Sequence, residues 1–320
     1  DHVGMSEEAL FPGMPFDENV RLKLAEAFPD GTVSVTRGRH YALEENSLYL
    51  VRIGPDAVIL PRMAYGEEVA AALKECCGGA EEKKYPRHVA IILDGNGRWA
   101  ERQGRERTFG HQAGAENVKT IVREAGHMGI ERLTLYAFST ENWKRPQPEV
   151  NFLMELFKDY LLRQLRDLMK DGVQLHVVGE KERLSEGLRK EIEACEADTK
   201  DNTGLILNVA INYGGRNEIV HAVRQLAEKV RAGELAPEEI TEETVQAGLY
   251  PSDAADVDLL IRTGGESRIS NFLLWQTSYS ELYFTPVLWP DFTVEELHKA
   301  VDWFCHRDRR FGGLNEGTEQ

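Results

Sequence analysis

The chain has 320 residues, 42% hydrophobic and 29% charged, enough for one large globular domain with a substantial core and a small appendage. A formal net charge of -16 excludes general nucleic-acid binding, because a phosphate polymer would be repelled over most of the surface. No apolar run approaches the ~20 residues needed to span a bilayer and no secretory signal pattern opens the chain, so a cytoplasmic location is expected.

Residues 1–82 read as a small α+β extension. "TVSVTRG", "SLYLVRIG" and "AVILP" look like short strands between turns, and "GEEVAAALKECC" like one helix; "GGAEEKKYP" then forms a polar linker. This segment carries no chemical signature. The four cysteines, at 76, 77, 195 and 305, lack C-x-x-C spacing and indicate neither a zinc site nor a disulfide framework.

From residue 83 to 320 apolar runs alternate with amphipathic stretches. "HVAIIL" precedes a helical pattern from about His111 to His127, and then comes "RLTLYAF". Pro148 to Lys170 places Val150, Leu153, Phe157, Leu161, Leu165 and Leu168 at three- and four-residue steps, the mark of a long helix with a wide apolar face. "VQLHVV", "LILNVAI" and "VDLLI" supply further strands, with helices near Leu184 to Lys200 and Gly215 to Arg231. This alternation predicts an α/β domain with a mainly parallel sheet flanked by helices on both faces.

In such a sheet, ligands sit outside the carboxyl ends of the strands. "HVAIIL" ends at Asp94, followed by Gly95, Asn96, Gly97 and Arg98. The glycines allow positive φ and a close backbone approach to an anion, and Arg98 adds a charge-assisted donor. A carboxylate beside a phosphate cradle makes sense when a cation bridges them, and magnesium binds through one or two carboxylates plus phosphate oxygens. By itself D-G-N-G is equally well a capped surface turn. A phosphatase with an aspartate nucleophile would need a second carboxylate at position 96, where asparagine stands.

Two further strand ends repeat the pattern. "YAFSTENWKRP" delivers Ser139, Asn142 and Arg145, and "LLIRTGGESRIS" delivers Arg262, Arg268 and Ser270. A charge-assisted hydrogen bond contributes about 1.5–3 kcal/mol, whereas micromolar binding needs about 8 kcal/mol. One loop would not suffice; three converging would.

The segments "DGNGRWA", "RTFGH", "YAFSTENWKRP", "IRTGGESRISNFLLWQ" with "SELYF", and "RDRRFGG" resemble the cis-prenyltransferase family, particularly its bacterial undecaprenyl diphosphate synthases, over about Arg87 to Gly313. The resemblance implies condensation of isopentenyl diphosphate onto an allylic diphosphate, usually farnesyl diphosphate, with Z stereochemistry. It implies that Asp94 engages Mg2+ and helps the allylic diphosphate leave, and that Glu281 is the second metal carboxylate. Gly95, Asn96, Gly97 and Arg98 match the loop around the allylic diphosphate, with Arg107 and His111 in further contact. Ser139, Asn142, Trp143 and Arg145 match the stretch beside the reacting carbons, Asn142 being the candidate for assisting proton removal. Arg262, Arg268 and Ser270 match the isopentenyl diphosphate pocket. Trp99, Thr140, Glu141 and Ile269 lie within these motifs and join the substrate-binding set. The "RFG" at Arg310 to Gly312 resembles a tail that reaches a partner's site, which implies a homodimer.

Two positions depart from the family pattern: Leu93 where methionine is common, and Ser267 where many members carry histidine. There is no adjacent Asp pair, so the D-D-x-x-D motifs of trans-type prenyl synthases are absent. Burying each five-carbon unit is worth about 4 kcal/mol at ~0.8 kcal/mol per carbon, and the apolar elements could wall a tunnel. By resemblance Ile130, Ala137, Val173 and Leu205 match tunnel positions, and the small Ala137 implies a long product, released slowly through transient contact with the inner face of the membrane. The competing readings are a short-chain or branched terpenoid synthase on the same scaffold, and a non-catalytic subunit. The second is disfavoured because Asp94, Arg98, Arg262 and Glu281 are all retained.

Overall fold

The computed structural model describes residues 34–35, 48–53, 56–61, 85–163, 167, 170–250 and 256–307. Contacts divide the chain into two compact units, Asp1–Lys83 and Lys84–Gln320. In the first, β1 (Ser34–Val35), β2 (Leu48–Ile53) and β3 (Asp56–Pro61) coincide with the three apolar stretches noted above. β2 and β3 pair antiparallel and β1 lies parallel to both, closing a three-stranded ring. The helix expected over 66–77 lies outside the described residues.

The second unit runs β4 (His88–Ile92), α1 (Asn96–Arg102), α2 (Arg107–His127), β5 (Arg132–Ser139), a 3-10 turn at Thr140–Lys144, α3 (Gln147–Arg163), β6 (Gln174–Val178) and α4 (Glu186–Thr199). It continues with β7 (Ile206–Tyr213), α5 (Gly215–Ala232), α6 (Glu242–Gln246), β8 (Leu259–Arg262), β9 (Glu281–Phe284) and α7 (Val294–Cys305). The sheet order is β6-β7-β5-β4-β8-β9, with every neighbouring pair parallel. A sheet covered on both faces needs strands that are apolar on both. β4 meets that demand: all five residues are buried, Val89 and Ile91 in one core cluster, Ala90 and Ile92 in the other.

Because the strands are parallel, the carboxyl ends of β4, β5 and β8 share one edge. They are also neighbours in the sheet, so the three arginine-bearing loops read from the sequence emerge side by side. The pairing of β5 with β7 slips twice near that edge. Tyr136 faces Ala210, Phe138 faces Ile211 and Ser139 faces Tyr213, so Ala137 is an extra residue on β5 and Asn212 an extra one on β7. Asn212 takes a left-handed φ of 48°. Ala137, inside a central strand, is exposed while Tyr136 and Phe138 beside it are buried.

The local structure differs from the sequence reading at four elements. The segment after Asp94 is not a glycine loop: Gly95 alone has positive φ, at 111°, and Asn96 onward is helical, so α1 was not anticipated. An interior Gly97 costs about 1 kcal/mol relative to alanine, but packing against α2 overrides that: a Cβ on Gly97 would collide with the Arg107 guanidinium. α6, β9 and α7 also went unassigned from sequence.

Candidate functional site

Asp94 sits two residues beyond the tip of β4 and is fixed through its backbone before its side chain is used. Its N–H donates to Ile92 O at 3.0 Å and to Thr263 Oγ1 at 3.0 Å; its carbonyl accepts from Thr263 Oγ1 at 2.7 Å and from Trp289 N at 3.0 Å. Trp289 is fully buried and donates its indole N–H to Gly114 O at 2.8 Å, which ties the loop to α2. A Cβ on Gly95 would lie 2.8 Å from Leu288 Cδ2, so this passage demands glycine for space as well as for φ.

The Asp94 carboxylate accepts Arg98 Nη2 on Oδ1 and Arg262 Nη2 on Oδ2, each at 3.0 Å. Arg98 also donates to Gly264 O at 2.7 Å. Arg262, only 5% exposed, donates Nη1 to Ser270 Oγ at 2.7 Å and to the Arg268 carbonyl. Ser270 is held at φ 48°. Asp94, Arg98, Arg262 and Ser270, read from two separate strand ends, therefore form one hydrogen-bonded group.

A second group gathers Arg107 and His111 from the start of α2 and Arg145 from the entrance to α3. Glu149, which sequence reading passed over, joins them: it accepts Arg145 Nη1 at 3.0 Å, lies 3.3 Å from His111 Nε2 and 3.7 Å from Arg107 Nε. Arg107 is also paired to Glu101 at 2.8 Å. Burial alone would raise the Glu149 carboxyl, but Arg145, Arg107 and His111 together hold it below the usual value. Burial, and then Arg145, push the His111 imidazole below its ordinary value. Glu149 stands four residues after Arg145 at a helix start, and that spacing was the available signal.

The turn after β5 forms the third part. Ser139 N–H donates to Asn142 Oδ1 at 3.0 Å, and Trp143 Nε1 donates to Asn212 Oδ1 at 2.6 Å. Thr140 Oγ1 donates to Glu141 Oε2 at 3.2 Å, and Glu141 Oε1 accepts Asn271 Nδ2 at 3.2 Å, joining this turn to the Ser270 loop. Glu141 is kept acidic although burial opposes it, through its own backbone N–H and bonds from Ser139, Asn271 and Thr140.

Four expected contributors do not join these groups through their side chains. Trp99 faces outward along α1, donating to Asp291 Oδ1 at 2.7 Å and stacking on Phe109. The Ile269 side chain packs onto the smaller core cluster, and the Arg268 side chain is exposed and paired with Glu266. Glu281 lies opposite Leu259, which lies opposite Val89, so it stands at the edge where strands begin. Asp94 is five strand positions further along, roughly 16 Å at ~3.3 Å each. There Glu281 accepts Arg307 Nε at 3.1 Å. The expectation that Asp94 and Glu281 share one ion is corrected for a single chain: parallel strands in register keep their starts and ends apart.

Beside Leu93 and Asn96, which flank the Asp94 loop, opens an apolar cavity. Its walls include Gly114 and Val118 of α2, Leu153 and Phe157 of α3, and Leu135 and Ala137 of β5. Asn96 and His111 stand at the mouth. The exposure of Ala137 is thus explained, because the β5 bulge turns its methyl toward this space. Ile130, Val173 and Leu205 do not line it; they are buried near the edge where the strands begin.

The donor set at Asp94 suits a cation that arrives with its substrate. A carboxylate has about four lone-pair sites and two are taken by the arginines, so acceptor capacity remains. Among the described residues no cluster of three His, Cys, Asp or Glu could hold an ion unaided. Magnesium fits such a place, taking one or two carboxylates and completing its shell with phosphate oxygens and water.

Known proteins resemble this chain over most of its second unit. Residues 92–312 match the family described as putative undecaprenyl diphosphate synthase. The chain is 54% identical over 233 residues to the ditrans,polycis-undecaprenyl-diphosphate synthase ((2E,6E)-farnesyl-diphosphate specific) of Escherichia coli (strain K12), covering 73% of this chain and 92% of that protein. It is 48% identical, with the same coverage, to an isoprenyl transferase of Clostridium perfringens. Among solved structures, lavandulyl diphosphate synthase from Lavandula x intermedia in complex with dimethylallyl diphosphate superposes with a TM-score of 0.71 at 40% identity, over 73% of this chain and all of that one. A probable undecaprenyl diphosphate synthase from Campylobacter jejuni gives 0.61 at 35% identity, over 72% and 100%. With that family matched across most of its second compact unit, the chain belongs to the cis-prenyltransferases and is a prenyl-transferring enzyme.

Proposed function

We propose that the enzyme condenses isopentenyl diphosphate onto an allylic diphosphate of three five-carbon units, with Z geometry, and repeats the step to give a long-chain polyprenyl diphosphate such as undecaprenyl diphosphate. One observation carries this reading: the cluster of acid and arginines at the carboxyl edge of the sheet stands next to an apolar cavity that begins at its neighbours Leu93 and Asn96 and is lined from both helices and strands. The farnesyl specificity named for the Escherichia coli relative supports the primer length.

In each turn the allylic C–O bond breaks and the diphosphate departs with the electron pair. The alkene carbon of isopentenyl diphosphate bonds to the allylic carbon, and a proton leaves to form the new double bond. Asp94, together with diphosphate oxygens, would hold Mg2+, which would supply positive charge to the leaving group. Arg98 and Arg107 bind the allylic diphosphate, and Arg262 with Ser270 binds the second one. These donors are already oriented by Gly264 O, Glu149 and Asp94, so they need not reorganise as charge develops. Asn142, oriented by the Ser139 N–H, assists departure of the proton. Only a second copy of the chain could bring Glu281 to the same ion.

We further propose a homodimer, on the Arg310 to Gly312 tail, which lies outside the described residues, and cytoplasmic action with product release at a membrane face. No helix among the described residues is long and apolar enough to cross a membrane.

The likeness to lavandulyl diphosphate synthase supports a second reading, a short or branched product. Incubation with labelled isopentenyl diphosphate, Mg2+ and primers of one, two or three units, followed by chromatography, separates the two. The first reading expects ladders well beyond twenty carbons from the three-unit primer; a single short or branched product from the one-unit primer would replace it with the second.

A further inference from the structure

We infer that Tyr160 closes the floor of the apolar cavity and is the specificity-determining residue for the length of the allylic primer. The inference deepens the condensation reading above and rests on it.

Tyr160 lies on α3 and lines the cavity at 8% exposure. Its hydroxyl is buried and has no hydrogen-bond partner among the described residues. An unmet buried hydroxyl is destabilising, and phenylalanine would fill the same space without that cost, so no contact among the described residues gives a reason for tyrosine here. Nor is a water a stable partner, since a buried water needs two to four polar neighbours and the described lining residues, apart from Asn96 and His111 at the mouth, have apolar side chains. A bound polyprenyl chain is different: every five-carbon unit carries one double bond, whose π face can accept a weak hydrogen bond.

The depth fits a particular length. α3 starts at the site end, where Glu149 holds Arg145 and His111, and runs down the cavity wall. Tyr160 follows Glu149 by eleven residues, about 16 Å at 1.5 Å per residue. An extended carbon chain advances about 1.2 Å per bond, as an extended peptide does, so three five-carbon units span about 14 Å and four about 19 Å. A three-unit primer therefore ends just above the phenol ring, and a fourth unit meets it. Ile130, Val173 and Leu205 are buried deeper, near the strand beginnings, and the cavity stops short of them. The ring stands at that limit, and growth beyond it requires the ring to move aside.

The test measures kcat/KM of the full-length enzyme for primers of two, three and four units, with isopentenyl diphosphate and Mg2+. Tyr160→Ala should raise the four-unit to three-unit ratio about tenfold or more, the discrimination expected when hydrophobic space is opened. Tyr160→Phe keeps the ring and should hold the ratio within about twofold of wild type. Tyr160→Trp deepens the obstruction and should shift preference toward the two-unit primer, which keeps the test decisive should the alanine variant not fold. Unchanged ratios in the folded alanine or tryptophan variant, or an alanine-like shift in Tyr160→Phe, would overturn the assignment. A wild-type enzyme inactive with every primer would remove the condensation reading itself, and the primer gauge with it.

Discussion

The two edges of the parallel sheet contain the same residue types and use them differently. At the carboxyl edge, Asp94 faces two guanidiniums and keeps unused lone pairs beside an open cavity. At the opposite edge, Asp258 Oδ2 accepts the backbone N–H groups of Arg87 at 2.8 Å and His88 at 3.1 Å, and Glu281 is paired with Arg307. His88 and Asn208 meet there on the Thr134 hydroxyl, at 2.8 Å and 3.0 Å. An acid that closes off backbone donors builds the fold; an acid held between cations at the mouth of a cavity can bind a ligand. Strand polarity decides which edge does which.

The largest expected effect tests that division directly. Asp94→Ala should lower turnover at least about a thousandfold, on the scale of removing a leading electrostatic stabiliser, with circular dichroism and Tm close to wild type; retained turnover would erase the distinction between the edges. The next effect sharpens the reading of the carboxyl edge. Glu149→Gln frees Arg107, Arg145 and His111 from their common partner, and KM for the allylic diphosphate should rise about tenfold, near the ~1.4 kcal/mol of one charge-assisted bond. A KM that does not move would make Glu149 a surface ion pair.

Asp258→Asn probes the other edge. It should lower unfolding free energy by about 1–3 kcal/mol in urea titrations, as expected when hydrogen bonds to a charged acceptor are weakened, and leave turnover per folded molecule unchanged. The smallest effect is in pH. His111 binds its proton less readily when folded than the ordinary value of 6.5, so below that value the unfolded chain takes up more protons and stability falls. Stability should therefore rise between the folded value and about pH 6.5, and His111→Gln should flatten that part of the profile. An identical slope in the variant would show that His111 does not carry it.

The sequence showed the strand ends well, because apolar runs stopping at Asp94, Phe138 and Arg262 are local signals and parallel topology then sets them on one edge. It was weaker where packing overrules local preference. Asn96–Arg102 carries a glycine and reads as a loop, yet α2 holds it helical. Glu281 was placed by its motif, but its distance from Asp94 depends on register, which no motif contains. Glu149 was missed because two of its partners, Arg107 and His111, come from the start of α2 and meet it only in the fold, and the Tyr160 hydroxyl gains meaning only once its surroundings are known to be apolar.

The paired slips between β5 and β7 have a consequence for engineering. One inserted residue on each strand, a step apart, cancels: the ladder leaves phase at Ala137 and returns to it by Ser139 and Tyr213. Space for hydrocarbon is thereby carved beneath the rim while the rim keeps its alignment. Deleting Ala137 alone would rotate Ser139 and the turn beyond it to the wrong side of the sheet. Deleting Ala137 and Asn212 together would restore a continuous ladder and fill the void, leaving an intact diphosphate grip with less room for a tail.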